Sequence, residues 1–374
     1  VNHETVGVVT LVDLKNYGNR LQNFATHELF RQRGIKATTI EMRAKPGKAV
    51  ARALYYAAAK DARENLILRG RYYRSWRFTS THVRAICLDP ARSPLSDRFD
   101  YFSVGSDQVW NPNDGRLGGR ADGVQCLANV PAERKMLVAP SFGLDELSSA
   151  WGEKYSQWLQ TFAHLSCRET RGVEIISSLT ERDAEVAIDP TMAIEPERWR
   201  EVARTRDLPP RPYLVTLLLG SISLERRRQI VGFAAKHGLD IVNLADPKDP
   251  IGRRIGPQEF LALIDNARCV MTDSYHCSIF ALLFQRPLAI FDREGPGAIM
   301  SSRIETLVSS FDLSNRVVDK DPGSSLDAFL ESDYTNGTRT LDMRRVQFVD
   351  NFDSELARLR TARVNRTGSS KNEH

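Results

Sequence analysis

The chain has 374 residues, 41% hydrophobic and 26% charged, with 23 Gly and 17 Pro. Such a balance buries a sizeable core, excludes extensive disorder outside the termini, and at this length predicts two or three domains, two being the working expectation. The net charge of +5 is uneven: residues 43–84 hold eleven Lys and Arg against Asp61 and Glu64, while the rest carries 41 basic and 45 acidic residues. No run approaches the roughly 20 apolar residues of a membrane span, and no basic-then-apolar leader opens the chain, so a cytoplasmic location is expected. The five cysteines, Cys87, Cys126, Cys167, Cys269 and Cys277, are odd in number and form no CxxC pair. Neither a disulfide framework nor a metal site is expected, and buried thiols are.

In chain order, "VGVVTLV" (Val6 to Val12) reads as a buried strand and "DLKNYGNR" as a turn. Leu21, Phe24, Ala25, Leu29 and Phe30 then recur at helical spacing until Gly34. "KATTIEM" completes a β-α-β unit, which implies a parallel sheet covered on both faces. The basic segment 43–84 is interleaved with Tyr55, Tyr56, Tyr72, Tyr73, Trp76 and Phe78. Two readings fit it: a solvated helical arm, or a surface for a membrane or another polyanion.

"FDYFSVG", "KMLVAPSFG", "AHLSCRE" and "AEVAIDPT" each read as a strand running into polar or Gly residues, and groups at the carboxyl ends of parallel strands line a crevice. The stretch from Ile194 to Pro212 carries a Pro-rich break and is taken as the linker. Beyond it, "YLVTLLLG", a helix near Leu224 to His237, "LDIVNL", a helix near Pro257 to Ala267, "CVMTD", another helix and "PLAIF" repeat the alternation. Helices near Arg303 to Phe311 and Leu341 to Leu359 follow, and "RTGSSKNEH" reads as a disordered tail. The expected division is 1–200, 211–340, a helix 341–362 returning to the first domain, and a tail 363–374.

Several loops after strands carry polar groups. "NYGNRLQ" places Asn16, Tyr17, Gly18 and Asn19 at a helix start, fit either for a ligand or for a plain cap. "VGSDQVWNP" sets Asp107 and Gln108 at a strand end, with the Trp110 face available for a sugar ring. In "SCRETRG", Arg168 suits a carboxylate or phosphate, unless Arg168 and Glu169 form a structural capping pair. "TDSYHCSIFALLFQRPLAIF" puts His276 at a helix start, beside Asp273 and Ser274, which are placed to orient it.

Taken in order, "NYGNRLQ", "VGSDQVWNP", "APSFG", "SCRETRG", "DPTM", "TDSYHCSIFALLFQRPLAIF" and "SSRIETL" resemble the polysaccharide pyruvyl transferase family, over nearly the whole chain. The resemblance implies an α/β fold of two Rossmann-like doubly wound domains facing across a cleft, the glycosyltransferase-B-like arrangement. It implies transfer of the pyruvyl group of phosphoenolpyruvate to two hydroxyls of one sugar, as a cyclic ketal with release of phosphate. His276 is then the catalytic acid or base, with Asp273 orienting it. Arg168, Arg303, Ser274 and Tyr275 fall on the donor side, and Asn16, Tyr17, Asn19, Asp107, Gln108 and Ser141 on the acceptor side. No cofactor beyond the co-substrate phosphoenolpyruvate and no nucleic-acid partner is implied; the acceptor is a sugar, free or lipid-linked, with segment 43–84 as a peripheral contact at the inner membrane face. Tyr275 and Cys277 stand where the family carries Phe and Gly, so Cys277 is expected to narrow the approach to His276, as packing or as a reactive thiol.

Two further readings compete. One is a nucleotide-sugar glycosyltransferase on the same scaffold, with Glu294 or Glu305 binding the ribose. The other is a non-catalytic saccharide-binding assembly protein.

Overall fold

The computed structural model describes residues 3–42, 69–88, 95, 98–115, 117, 119–293, 302–318, 325–331 and 333–369. Residues 43–68 of the basic segment, Glu294 and the last five residues of the expected tail lie outside them. β1 (Thr5–Val9), α1 (Tyr17–Arg31) and β2 (Lys36–Met42) form the first β-α-β unit. β3 (Ala85–Leu88), β4 (Tyr101–Val104) and β5 (Lys135–Leu137) complete a parallel sheet of order β3-β2-β1-β4-β5. The central strands β1 and β4 are buried almost throughout, as apolar runs of a sheet covered on both faces are. β1 stops at Val9 rather than Val12, and beyond it the carbonyl of Leu11 accepts from the side chains of Asn19 and Arg20 on α1.

β6 (Ser166–Cys167) and β7 (Glu185–Val186) are two residues each and pair with one another. The Arg168 amide donates to the Pro140 carbonyl at 3.0 Å and ties this pair to the chain leaving β5. The second sheet, β11-β10-β8-β9, is also parallel. It is built from β8 (Tyr213–Leu217), β9 (Asp240–Asn243), β10 (Cys269–Thr272) and β11 (Leu288–Ile290). Among the described residues no strand is shared between the two sheets, so the protein consists of two Rossmann-like halves.

The remaining helices are α2 (Arg69–His82), α3 (Ser149–Leu159), α4 (Thr170–Thr180), α5 (Pro190–Ala193), α6 (Pro196–Val202), α7 (Leu224–Lys236), α8 (Pro257–Asp265), α9 (Tyr275–Leu283), α10 (Ser302–Ser310) and α11 (Thr335–Ser369). The expected linker contains α6, and its Trp199 is no spacer: fully buried, it packs between Phe24 of one half and Phe280 of the other, at 5.3 and 5.1 Å. Tyr17 stacks on Phe260 at 4.8 Å, and Arg71 of α2 donates to the carbonyls of Leu244 and Gly252. One apolar core runs from α1 through Trp199 into α8 and α9. The halves meet over a packed apolar seam, which restrains the relative motion that polar domain contacts permit.

α11 is longer than expected at both ends, and residues 363–369 are helical rather than tail. Arg363 reaches Asp100 at 2.9 Å, and Arg360 reaches Glu4 at 2.6 Å, so the late turns are held on the first half. Phe352 packs on Phe30 at 5.0 Å and the Arg345 Nε donates to the Met192 carbonyl. Four cysteines are buried as expected, but Cys87 is exposed on the edge strand β3.

Candidate active site

The turn after β10 is closed by Thr272, whose hydroxyl donates to the Leu217 carbonyl and accepts from the Ser274 amide. Ser274 starts α9 without a side-chain cap, and its carbonyl accepts from the Ser278 hydroxyl. His276 therefore sits in the first turn of α9, buried against the first turn of α1. A methyl group on Gly18 would fall 2.2 Å from the imidazole, so the glycine is required by close approach.

Asp273 does not orient the histidine. Its carboxylate accepts from the amides of Leu219 and Gly220, both at 2.7 Å, and faces Arg293 at 3.4 Å, which anchors the loop after β8. The carboxylate beside His276 is Asp189, 3.5 Å from Nε2 and fully buried at the start of α5. Asp189 Oδ1 accepts from the Thr191 amide and hydroxyl; Oδ2 accepts from Arg168 at 2.7 Å and Ser106 at 3.2 Å. Burial opposes ionisation, but His276, Arg168 and the Thr191 amide outweigh it and hold the Asp189 carboxyl well below the usual range.

Arg168 is 2% exposed and bridges two carboxylates, Asp189 and, at 3.2 Å, Asp107. Burial disfavours its charge, and the two acids overcome that and raise its pKa. Asp107 adopts φ 73°, a left-handed conformation sparsely populated by non-glycine residues, and accepts from the Asn19 amide group at 2.7 Å. Burial alone would raise its pKa; Arg168, His276 and Asn19 bring it down to about 2.

Tyr275 supplies a ring shared by two guanidinium groups, Arg168 at 4.8 Å and Arg303 of α10 at 5.7 Å. Arg303 is buried, and burial followed by the like charge of Arg168 lowers its pKa to about 10. A second buried cation that its surroundings disfavour is one that a bound anion would stabilise.

The other expected site residues are distributed as follows. Asn16 is exposed and caps α1 by accepting from the Asn19 amide. Tyr17 belongs to the seam between the halves. Gln108 is half-buried and donates to the Gly143 carbonyl at 3.4 Å, while the Ser141 hydroxyl donates to Glu169. Trp110 offers no face to a sugar: it is fully buried against Phe142, with its indole N–H donating to the Gln125 carbonyl. Cys277 is buried on the apolar side of α9, and burial pushes its thiol up to about 12, which leaves packing and removes the reactive-thiol reading. Glu305 is exposed on α10. Asp189 and Gly18 lie in the motifs "DPTM" and "NYGNRLQ" but have no role in the expected site; the local pattern at Asp189 reads as an Asp-Pro helix start, the usual N-cap with Pro at the first helical position. Among the described residues no group of three His, Cys, Asp or Glu side chains is arranged to hold a metal, and no helix is long and apolar enough to cross a membrane.

Fold and site together define a two-domain α/β protein with a histidine, paired acids and two arginines buried where the halves meet. The polysaccharide pyruvyl transferase family model matches residues 16–295, and the chain belongs to that family, a family of transferases of polysaccharide biosynthesis. No curated protein sequence matches it. Among solved structures, it is similar to Arabidopsis thaliana UGT89C1 complexed with UDP-L-rhamnose, at 9% identity and a TM-score of 0.46 over 98% of this chain and 99% of that one. It is also similar to an uncharacterized Klebsiella pneumoniae protein, at 10% identity and 0.44 over 85% and 93%. UDP-GlcNAc 2-epimerase from Neisseria meningitidis follows at 10% and 0.42 over 95% and 94%. At these values the likenesses carry no information on substrate.

Proposed function

We propose that this chain transfers the pyruvyl group of phosphoenolpyruvate to two hydroxyls of a single sugar residue, forming a cyclic ketal and releasing phosphate. The observation that carries the reading is the placement of Arg168 and Arg303 over the Tyr275 ring next to His276. A donor with a carboxylate and a phosphate needs cations in a desolvated site, and Arg303 is the one whose environment calls for an anion. Arg168, already bridging Asp107 and Asp189, acts mainly by holding those acids, and its guanidinium, 4.8 Å from the Tyr275 ring, adds positive charge on the donor side.

In this reading His276 gives a proton to the methylene carbon of the donor, which makes C2 electrophilic. Asp189, 3.5 Å from Nε2, faces the imidazole in the position that a buried carboxylate takes beside a catalytic histidine. Ser274 lies at the α9 start on the donor side. Asn19, Asp107, Gln108 and Ser141 frame the acceptor side, with Gln108 the more accessible. The acceptor is a sugar of a polysaccharide or of its lipid-linked precursor, met at the membrane surface through the basic segment, which includes α2.

The test is phosphate release from phosphoenolpyruvate by the purified chain with a panel of oligosaccharide diols, with the ketal methyl group read by NMR. Formation of the ketal supports the reading. Release of a nucleoside diphosphate from a nucleotide sugar, or no turnover with any acceptor, overturns it.

A further inference from the structure

Glu169 is fully buried at the start of α4, next to Arg168. It is neither a helix cap nor that arginine's partner: its side chain makes no cap hydrogen bond, and Arg168 pairs with Asp107 and Asp189. Instead its Oε1 accepts three hydrogen bonds, from the Ser141 hydroxyl at 2.9 Å, the Phe142 amide at 2.9 Å and the Gly143 amide at 3.1 Å. Its Oε2 is buried and has no hydrogen-bond partner among the described residues. Three donors on one oxygen fix the orientation of the group, while the other oxygen keeps both lone pairs unused. Buried polar atoms are ordinarily satisfied, so this one calls for a ligand.

The position agrees with that. The amide of Thr170, the next residue, donates to Thr306 of α10 at 3.1 Å, so Glu169 lies where the two halves touch. Arg303, one turn earlier on α10, and Tyr275 both feel its charge. Ser302 on the same turn has a buried hydroxyl that also lacks a partner among the described residues. Glu169 thus belongs to the cluster around His276, but it is held by the Ser141 to Gly143 loop of the first half, the side assigned to the acceptor.

We infer that Oε2 of Glu169 receives the proton of the attacking acceptor hydroxyl, an assignment that rests on the pyruvyl-transfer reading. The diol loses two protons in the overall reaction. One ends on the methylene carbon of the donor, which becomes a methyl group, and one leaves with the phosphate. As the hydroxyl oxygen bonds to C2, Glu169 takes its proton. As the C2–O bond to phosphate breaks, the electron pair stays on the phosphate oxygen and Glu169 returns the proton there; the second hydroxyl oxygen then bonds to C2, and its proton goes to His276 and replaces the one given to the methylene carbon.

The experiment compares wild type with Glu169→Gln, which keeps an acceptor for the three loop donors. Turnover is read as phosphate release, donor affinity by calorimetry with phosphoenolpyruvate, and integrity by thermal melting. The expected result is a fall of about a hundredfold or more in kcat with donor affinity changed less than about twofold. A merely structural glutamate would move donor affinity and melting together with activity. Should Glu169→Gln melt early, Glu169→Asp keeps the charge and withdraws it by one methylene; it should fold and lose kcat while binding donor normally. An active wild type with either folded variant near full turnover overturns the assignment alone. A wild type that releases no phosphate with any diol overturns the pyruvyl-transfer reading, and the assignment with it.

Discussion

Gly18 and His276, from opposite halves of the molecule, approach so closely that a single methyl group on the glycine would sit 2.2 Å from the imidazole. Gly18→Ala must therefore push the ring away from Asp189 or open the seam. A displacement near 1 Å costs a catalytic group about a hundredfold, and kcat in the phosphate-release assay should fall by that order. Gly232→Ala is the control, because nothing lies within 4 Å of the added methyl on the exposed face of α7. It should keep full activity and gain about 0.5–1 kcal/mol of stability.

His276→Ala should lose at least about a hundredfold in turnover with a near-native melting temperature. Normal turnover in a folded variant would make the histidine structural. Asp273→Asn, by contrast, should act through the loop after β8, lowering the melting temperature, because its carboxylate serves the Leu219 and Gly220 amides.

The two arginines should separate in a melting experiment. Arg168→Ala leaves Asp107 and Asp189 buried without their shared cation, and breaking such a pair costs about 3–5 kcal/mol. Arg303→Met removes a cation whose pKa is lowered by folding, so the folded state disfavours its charge and the variant should melt no earlier than wild type. Donor affinity, measured by calorimetry, should nonetheless collapse in Arg303→Met. An early melt with normal donor binding would remove Arg303 from the donor site.

Acid should destabilise the protein through the same cluster. The carboxyls of Asp107 and Asp189 titrate below their unfolded values of about 3.9, so their stabilisation is complete above about pH 4. It should decline as pH falls from there through about 2, the value for Asp107. Denaturant midpoints taken from pH 6 to pH 2 should show this slope, and Asp107→Asn should flatten part of it while lowering the plateau.

α2 carries most of the described part of the basic segment, all but Val83 and Arg84. Tyr73 and Trp76, 56% and 55% exposed with rings 6.1 Å apart, share its outer face with Arg69 and Arg77. Aromatic rings and basic side chains suit a bilayer interface, at about 1 kcal/mol per basic residue on an anionic surface. The protein should co-sediment with anionic vesicles at low salt and less at physiological salt, where charge attraction is screened over about 8 Å. Trp76→Ala should weaken the binding. Equal sedimentation with neutral vesicles would leave α2 a solvated face.

The alternation of apolar strands and amphipathic helices determined the two parallel-sheet halves, because period and turn chemistry are local properties. Most strand positions followed from this, and "KATTIEM" matches β2 residue for residue. The positions of His276 and Arg168 at strand-to-helix turns were legible for the same reason, since parallel sheets expose polar groups there, whereas Arg303, inside α10, was named only by the resemblance. Partnership was not legible. Asp273 is the sequence neighbour of His276, yet backbone amides of the adjacent loop take its carboxylate, and Asp189 arrives from the other half. Trp110 reads as a sugar platform until Phe142 and Tyr155 bury it. Trp199 sits in what reads as a linker, yet two aromatic rings from different halves close around it. Such pairings depend on which surfaces meet when the halves pack. That is set by the summed burial of distant apolar side chains, which no local spacing encodes.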